Sequence, residues 1–194
     1  MEIWILYAFA AAIFTAAAVI TEKKTLLKEH AMEFSAVLAI IIFLLSIPLF
    51  FFIDYSKLQF TPILLIFIVT IFASIAFLLI AKSVRHMELS NSIPLLTLSP
   101  GITAILAFLL LKESISYNQT IGIGILIIGA YFLETKEGKS LLEPIKMFKK
   151  SKYIHFILIA LLIYSVLNIV DRIILFNLDM QPIAFIAFAN VFLA

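Results

Sequence analysis

The stretch that decides the fold reads LQFTPILLIFIVTIFASIAFLLIA, Leu58 to Ala81, twenty-four residues without a charge. A helix of that length reaches about 36 Å at roughly 1.5 Å per residue, enough to cross the ~30 Å of hydrocarbon in a bilayer. Outward from it, uncharged runs of the same kind recur at Ile3–Thr21, Phe34–Ile53, Leu89–Leu111, Ser114–Leu133 and Tyr153–Val170. A shorter run extends from Met180 to the last residue, Ala194. The composition agrees: 64% of the 194 residues are hydrophobic, 13% are charged, and the mean hydropathy is +1.18. These values lie far from those of a soluble domain. A barrel also satisfies every backbone group in lipid, but its strands are about ten residues long and alternate in polarity. These runs are longer and do not alternate. The expectation is an all-α integral membrane protein, a polytopic helix bundle of at least six spans placed in the cell membrane. Glu2 is the only charge before the first run, and that run is longer than a signal core, so it reads as a retained span. With no cysteine there is neither a disulfide framework nor a thiolate metal site.

Lys and Arg sort the loops. Lys23, Lys24 and Lys28 follow the first span, Lys82 and Arg85 the third, and six lysines the fifth, whereas Lys57, Lys112 and Arg172 stand singly after the second, fourth and sixth. Alternate loops share a side, so eleven basic residues face three, and the richer side belongs in the cytoplasm. The amino terminus is then outside. Between Leu141 and Lys152 four apolar residues are set among lysines, a pattern that fits an interfacial helix on anionic headgroups or a solvated linker.

Displaced by about 149 residues, the sequence partly matches itself: Glu22-Lys23 meets Asp171-Arg172, Leu26 meets Leu175, and Phe34 meets Ile183. The matches imply a five-span unit followed by the opening of a second, which an odd number of spans inserts upside down, an inverted repeat. Residues 1–134 are expected to form the first unit, 135–152 a basic connecting loop, and 153–194 the start of the second. On this plan the complete protein runs to ten spans and about 298 residues, and the missing second half or another copy of the chain completes the bundle.

Polar and helix-breaking residues are scarce enough to single out. Pro94 and Pro100 each remove a backbone donor inside the fourth run and press on the carbonyl four residues back. Lipid cannot satisfy the carbonyls so freed. The Leu96 carbonyl, Thr97 and Ser99 are therefore candidates to line a substrate path beside Pro100. A proline kink whose hydroxyls bond back to their own helix is the structural alternative. In the sixth run Tyr164, Ser165, Asn168 and Asp171 recur at helical spacing. Tyr164 and Asn168 are deep enough for substrate contact, while Asp171 and Arg172 at the end read as a solvated or mutually paired couple. Glu113 is placed to cap the turn into the next helix or to gate. Gly122 and Gly129 share a face and would allow close helix approach. His30, His86 and His155 have no ligand spacing, so no metal is expected.

From Ala81 to Glu134 the text is specific: AKSVRHMELSNSIPLLTLSPGITAILAFLLLKESISYNQTIGIGILIIGAYFLE. It resembles the EamA-type family of the drug/metabolite transporter superfamily. The features that carry the resemblance are Leu89-Ser90, Pro94-Leu95, Ser99-Pro100, Glu113, Gln119, Gly122 and Gly129-Ala130-Tyr131. Asn168 with Asp171-Arg172 resembles the opening of the second repeat. The resemblance implies ten spans and movement of amino acids, metabolites or drugs without ATP. It also implies cytoplasmic termini, opposite to the charge count.

No nucleophile–base pair, HExxH, GxSxG or paired intramembrane carboxylate is present, so an enzyme is not expected. The function read from the sequence is secondary transport of a small molecule, with the lipid bilayer and the solute as partners. The alternative is a non-transporting membrane subunit or scaffold. No cofactor or nucleic acid is expected.

Overall fold

The structure is a computed structural model that describes residues 3–112, 114–134 and 151–194. Its elements in chain order are α1 (Ile3–Leu26), α2 (Ala31–Ser46) with a 3-10 extension (Ile47–Phe52), a 3-10 turn (Tyr55–Lys57), α3 (Phe60–His86), α4 (Leu89–Leu96), α5 (Ser99–Leu111) and α6 (Tyr117–Glu134). Next come α7 (Lys152–Arg172), continued by a π turn (Ile173–Asn177), and α8 (Pro182–Leu193). No strand occurs among the described residues. Four helices, Ile5–Leu26, Ala31–Phe52, Phe60–His86 and Lys152–Asn177, are long and apolar enough to cross a membrane, and Ser99–Leu111, Tyr117–Gly129 and Pro182–Leu193 are shorter apolar helices.

The expected fourth span is two helices in tandem. α4 ends at Leu96, and α5 begins at Ser99 with Pro100 in its first turn. A proline at a helix start costs no internal bond, because that N–H would have no partner anyway. Pro100 therefore initiates α5 and does not kink a continuous helix. The Leu98 N–H donates to the Leu95 carbonyl (3.1 Å), which tightens the end of α4. α5 closes on Lys112 in the left-handed conformation, φ 54°. Helices also outrun the uncharged stretches: α1 continues through Glu22, Lys23 and Lys24, and α7 already includes Lys152. The interfacial-helix reading of 141–152 falls largely outside the described residues.

The centre of the bundle is α3, packed most extensively on α7 and then on α8. Ala76 and Ala81 of α3, Ala160 of α7, and Ala184 and Ala187 of α8 are fully buried. Small side chains at these faces let backbones approach, which is how helices gain contact where lipid is as apolar as leucine. Ile66, Val69, Leu167 and Ile174 fill the seam beside them, and Leu95 of α4 packs on Ile154, Ile157 and Leu161 of α7. The phenylalanines divide between two roles. Phe51, Phe60 and Phe14 are exposed, but Phe50 meets Phe188 edge-on at 5.6 Å and Phe67 meets Phe192 at 5.3 Å, the geometry that ring quadrupoles favour. α1 is apolar all round, and its most apolar stretch buries nothing, so it presents hydrocarbon to hydrocarbon and touches α2 and α3 only lightly.

Side-chain bonds define the two ends. At one end the ammonium of Lys23 in α1 donates to the carbonyls of Val84, Arg85 (3.1 Å) and Met87 (2.7 Å). It thereby caps the end of α3, where the helix leaves carbonyls unpaired and the dipole favours a cation. Ser83 Oγ lies 2.8 Å from the Leu79 carbonyl and 3.0 Å from the Tyr153 carbonyl, bringing α7 to the same end. At the other end Asp54 and Gln181 exchange two bonds, Asp54 N–H to Oε1 and Nε2 to the Asp54 carbonyl, each 3.1 Å. The loops after the first and third runs thus share one end, and those after the second and sixth share the opposite end.

Candidate functional site

A cavity of about 440 Å³ opens between α2, α3, α7 and the end of α8. Its walls are mainly apolar, with Ala39 and Ile42 on α2 and Ala73 and Phe77 on α3, and the polar groups are Ser35, Ser74 and Tyr164. Both serines donate to the carbonyl one turn back, Ser35 to Ala31 (2.7 Å) and Ser74 to Thr70 (2.8 Å). Their protons are committed, so what they turn to a guest is an acceptor lone pair. The Tyr164 hydroxyl makes a long bond to the Ala73 carbonyl, 3.4 Å, weak enough to exchange for a better partner. Such a cavity suits an apolar body that carries a hydrogen-bond donor.

A second set of polar atoms lies inside the bundle. Glu22 Oε1, Ser92 Oγ, Thr103 Oγ1, Ser165 Oγ and Asp171 Oδ1 are shielded and have no hydrogen-bond partner among the described residues. They come from α1, α4, α5 and α7, so the helices on either side of the α4–α5 break contribute to it. A buried polar atom without a partner costs about 1–3 kcal/mol, and such costs concentrate at working sites.

The structure separates the candidates picked from the sequence. Tyr164 lines the cavity. Thr97 is exposed in the turn between α4 and α5, Ser99 is half-buried at the start of α5, and Pro100 is exposed beside it. Asn168 is exposed on α7, while its helical neighbour Ser165 is fully buried. Pro94 stands inside α4. Asp171 is half-buried near the end of α7, and Arg172 borders a concavity with Leu111 and Asn177, where the ends of α5 and α7 meet. A side chain built at Gly122 or Gly129 would meet nothing within 4 Å; the close approach expected there occurs at Gly101, whose Cβ position lies 3.6 Å from Ile123. Glu113 lies outside the described residues. Sequence reasoning missed Ser35, Ser74 and Glu22. The available signal was a lone hydroxyl or carboxyl in or beside an apolar run, weaker than a proline pair.

The model of the EamA-like transporter family matches residues 2–135, well over half the chain. The chain belongs to the EamA-like transporter family. No curated protein and no solved structure matches it. The EamA match spans α1 to α6, so Glu22, Ser35, Ser74, Ser92, Thr103 and the α4–α5 break fall within it. Tyr164, Asn168, Asp171 and Arg172 lie beyond it, on α7. The chain is a multi-pass helical membrane protein of a transporter family.

Proposed function

We propose that this EamA-like protein is a secondary transporter of the cell membrane that moves a small metabolite, amino acid or drug-like compound by alternating access, without ATP. The observation that carries the reading is the cavity between α2, α3, α7 and α8, with three hydroxyls set in apolar walls inside a chain of a transporter family. Its acceptors favour a solute with an apolar body and an N–H or O–H donor, such as a hydrophobic amino acid or an amine. The tandem α4–α5 supports the same reading, because discontinuous helices recur where transporters bind and move solutes. Thr97, Ser99 and Pro100 form the hinge there, and Ser92 and Thr103 supply hydroxyls on either side of it. Residues 1–134 act as one five-span repeat, joined through 135–152 to a second, inverted one that begins at 153.

The test is uptake into proteoliposomes over a panel of hydrophobic amino acids, nucleosides and amine drugs. Saturable uptake of a donor-bearing apolar solute is expected, and Tyr164→Phe raises its KM about tenfold, the cost of one lost hydrogen bond in a dry site, ~1.4 kcal/mol. The same substitution leaves thermal stability within about 0.5 kcal/mol, because the Ala73 bond it removes is long. A folded protein that moves no member of the panel would overturn the reading in favour of a non-transporting subunit.

A further inference from the structure

The ends of α2, α3 and α7 enclose a concavity of about 630 Å³ that adjoins the other cavity at Met32. Its basic wall is the last turns of α3, where Lys82, Arg85 and His86 are spaced three and four apart and so share a face. Basic residues at a helix end often serve that helix's own unpaired carbonyls. Here Lys23 of α1 already does so, bonding Val84, Arg85 and Met87. Lys82 and Arg85 are thereby released to face outward, and neither forms a salt bridge with a described residue. α7 adds Lys152, whose ammonium stands 5.1 Å from the centre of the Tyr153 ring. Tyr153 in turn stacks on His86, with centroids 4.4 Å apart and planes 9° from parallel. The His86 ring is also held through Nδ1, which donates to the Lys82 carbonyl at 2.8 Å. Lys152, Tyr153 and His86 are thus a fixed stack, already ordered before anything binds.

The sign of the site is one-sided. One carboxylate, Glu33, lines it, and that lies 4.0 Å from His30. Three basic side chains remain to attract an anion. The lining also has an apolar part, Met32 and Phe156. The concavity also lies at the end of the bundle where loops 27–30 and 87–88 emerge, beyond the apolar runs of α2 and α3; lipid headgroups border the hydrocarbon at such helix ends.

We infer that this concavity is a binding site for the headgroup phosphate of an anionic phospholipid, held between Arg85, Lys82 and Lys152, with its glycerol and upper acyl carbons on Met32 and Phe156. Arginine suits the role because its planar fork pairs with two phosphate oxygens at once, with lysine as the point charge beside it. A basic pocket between transmembrane helices is an established way for a membrane protein to hold such lipids. A zwitterionic lipid carries the same phosphate, but its ammonium would meet three like charges. Discrimination against phosphatidylcholine follows from that repulsion. Free phosphate gains nothing from Met32 and Phe156, so the lipid is the occupant.

The experiment is native mass spectrometry of the detergent-solubilised full chain titrated with phosphatidylglycerol or phosphatidylcholine. The result expected is phosphatidylglycerol bound at least about tenfold more tightly than phosphatidylcholine, with the preference lost in Lys82→Gln/Arg85→Gln and kept in Lys57→Gln at the opposite end. Lys152→Gln, which leaves α3 untouched, weakens binding several-fold and carries the test if the double variant does not fold. Equal retention of both lipids, or a preference that survives Lys82→Gln/Arg85→Gln and Lys152→Gln, would overturn the proposal. Displacement of the lipid by millimolar inorganic phosphate would overturn it in favour of a soluble-anion site.

Discussion

Lys23 shows how much one side chain does at this membrane edge. Read along the sequence it is one of eleven basic residues on the richer side. In the fold its ammonium crosses to α3 and serves three carbonyls, 61 to 64 positions away in the chain. Hydrogen bonds from a charged donor are worth about 1.5–3 kcal/mol in total when the carbonyls would otherwise go unpaired. Lys23→Met is therefore expected to lower unfolding stability by about 2 kcal/mol, and Lys24→Met, at an exposed neighbour, by less than about 0.5 kcal/mol. Thermal unfolding of both variants in detergent checks this, and equal midpoints would refute the capping role. Ser83 and Ser165 make a second contrast, since both are fully buried. Ser83 Oγ lies against carbonyls of α3 and α7, whereas Ser165 Oγ has no partner among the described residues. Ser83→Ala should cost about 1 kcal/mol, while Ser165→Ala should leave stability unchanged or raise it, because it removes a desolvated hydroxyl. Both serines read alike in the sequence. Whether a neighbouring carbonyl exists is settled by packing.

At the scale of elements, the sequence marked Pro94 and Pro100 alike as helix breakers in the fourth run because proline acts locally, yet Pro94 stands inside α4 and only Pro100 adjoins the break. The form of the interruption was not legible. A proline four residues inside a helix and one that starts a new helix look the same in one dimension, and the tandem α4–α5 is the second case. The turn between α2 and α3 is held more tightly than its length suggests. The Asp54 carboxylate accepts from Ser56 Oγ at 2.6 Å and Ser56 N–H at 3.2 Å, with Lys57 at 3.7 Å. The hydrogen bonds from Ser56, above the Lys57 charge, hold its pKa below the ordinary 3.8. A depressed carboxylate pKa stabilises the fold above the unfolded value, and that stabilisation disappears as pH falls through the folded one. Asp54→Asn should therefore lower the thermal midpoint slightly at neutral pH, and the difference should vanish well below pH 3.8. Equal midpoints at neutral pH would assign the turn's stability to the Gln181 exchange, which uses only the Asp54 backbone and survives the substitution.

For the whole molecule, the loop alternation inferred from charge matches the ends defined by contact: Lys23 with α3 at one end, Asp54 with Gln181 at the other. The absence of cysteine makes the sidedness directly measurable. Lys28→Cys and Lys57→Cys occupy exposed loop positions at opposite ends. In intact cells a membrane-impermeant maleimide is expected to label the second and spare the first until the cells are opened, following the basic-residue rule. The reverse pattern would place the amino terminus in the cytoplasm, as the family resemblance implies. Labelling of both from one side would refute the alternation itself.

The sequence by itself determined that the chain is helical, that it spans lipid repeatedly, that the fourth run carries helix-breaking residues, and how the basic residues divide between the loops. Each of these follows from local quantities, because length and hydropathy decide insertion where no water can satisfy a backbone group. Only the tertiary structure decided which faces meet: α3 on α7 and α8, Tyr164 with Ser35 and Ser74, and Lys82 and Arg85 with Lys152. The reason is the solvent. Around a soluble core, an apolar stripe marks the buried face of a helix, but in a bilayer both faces are apolar, and the bundle is chosen by small-residue packing and scattered hydroxyls that hydropathy does not register.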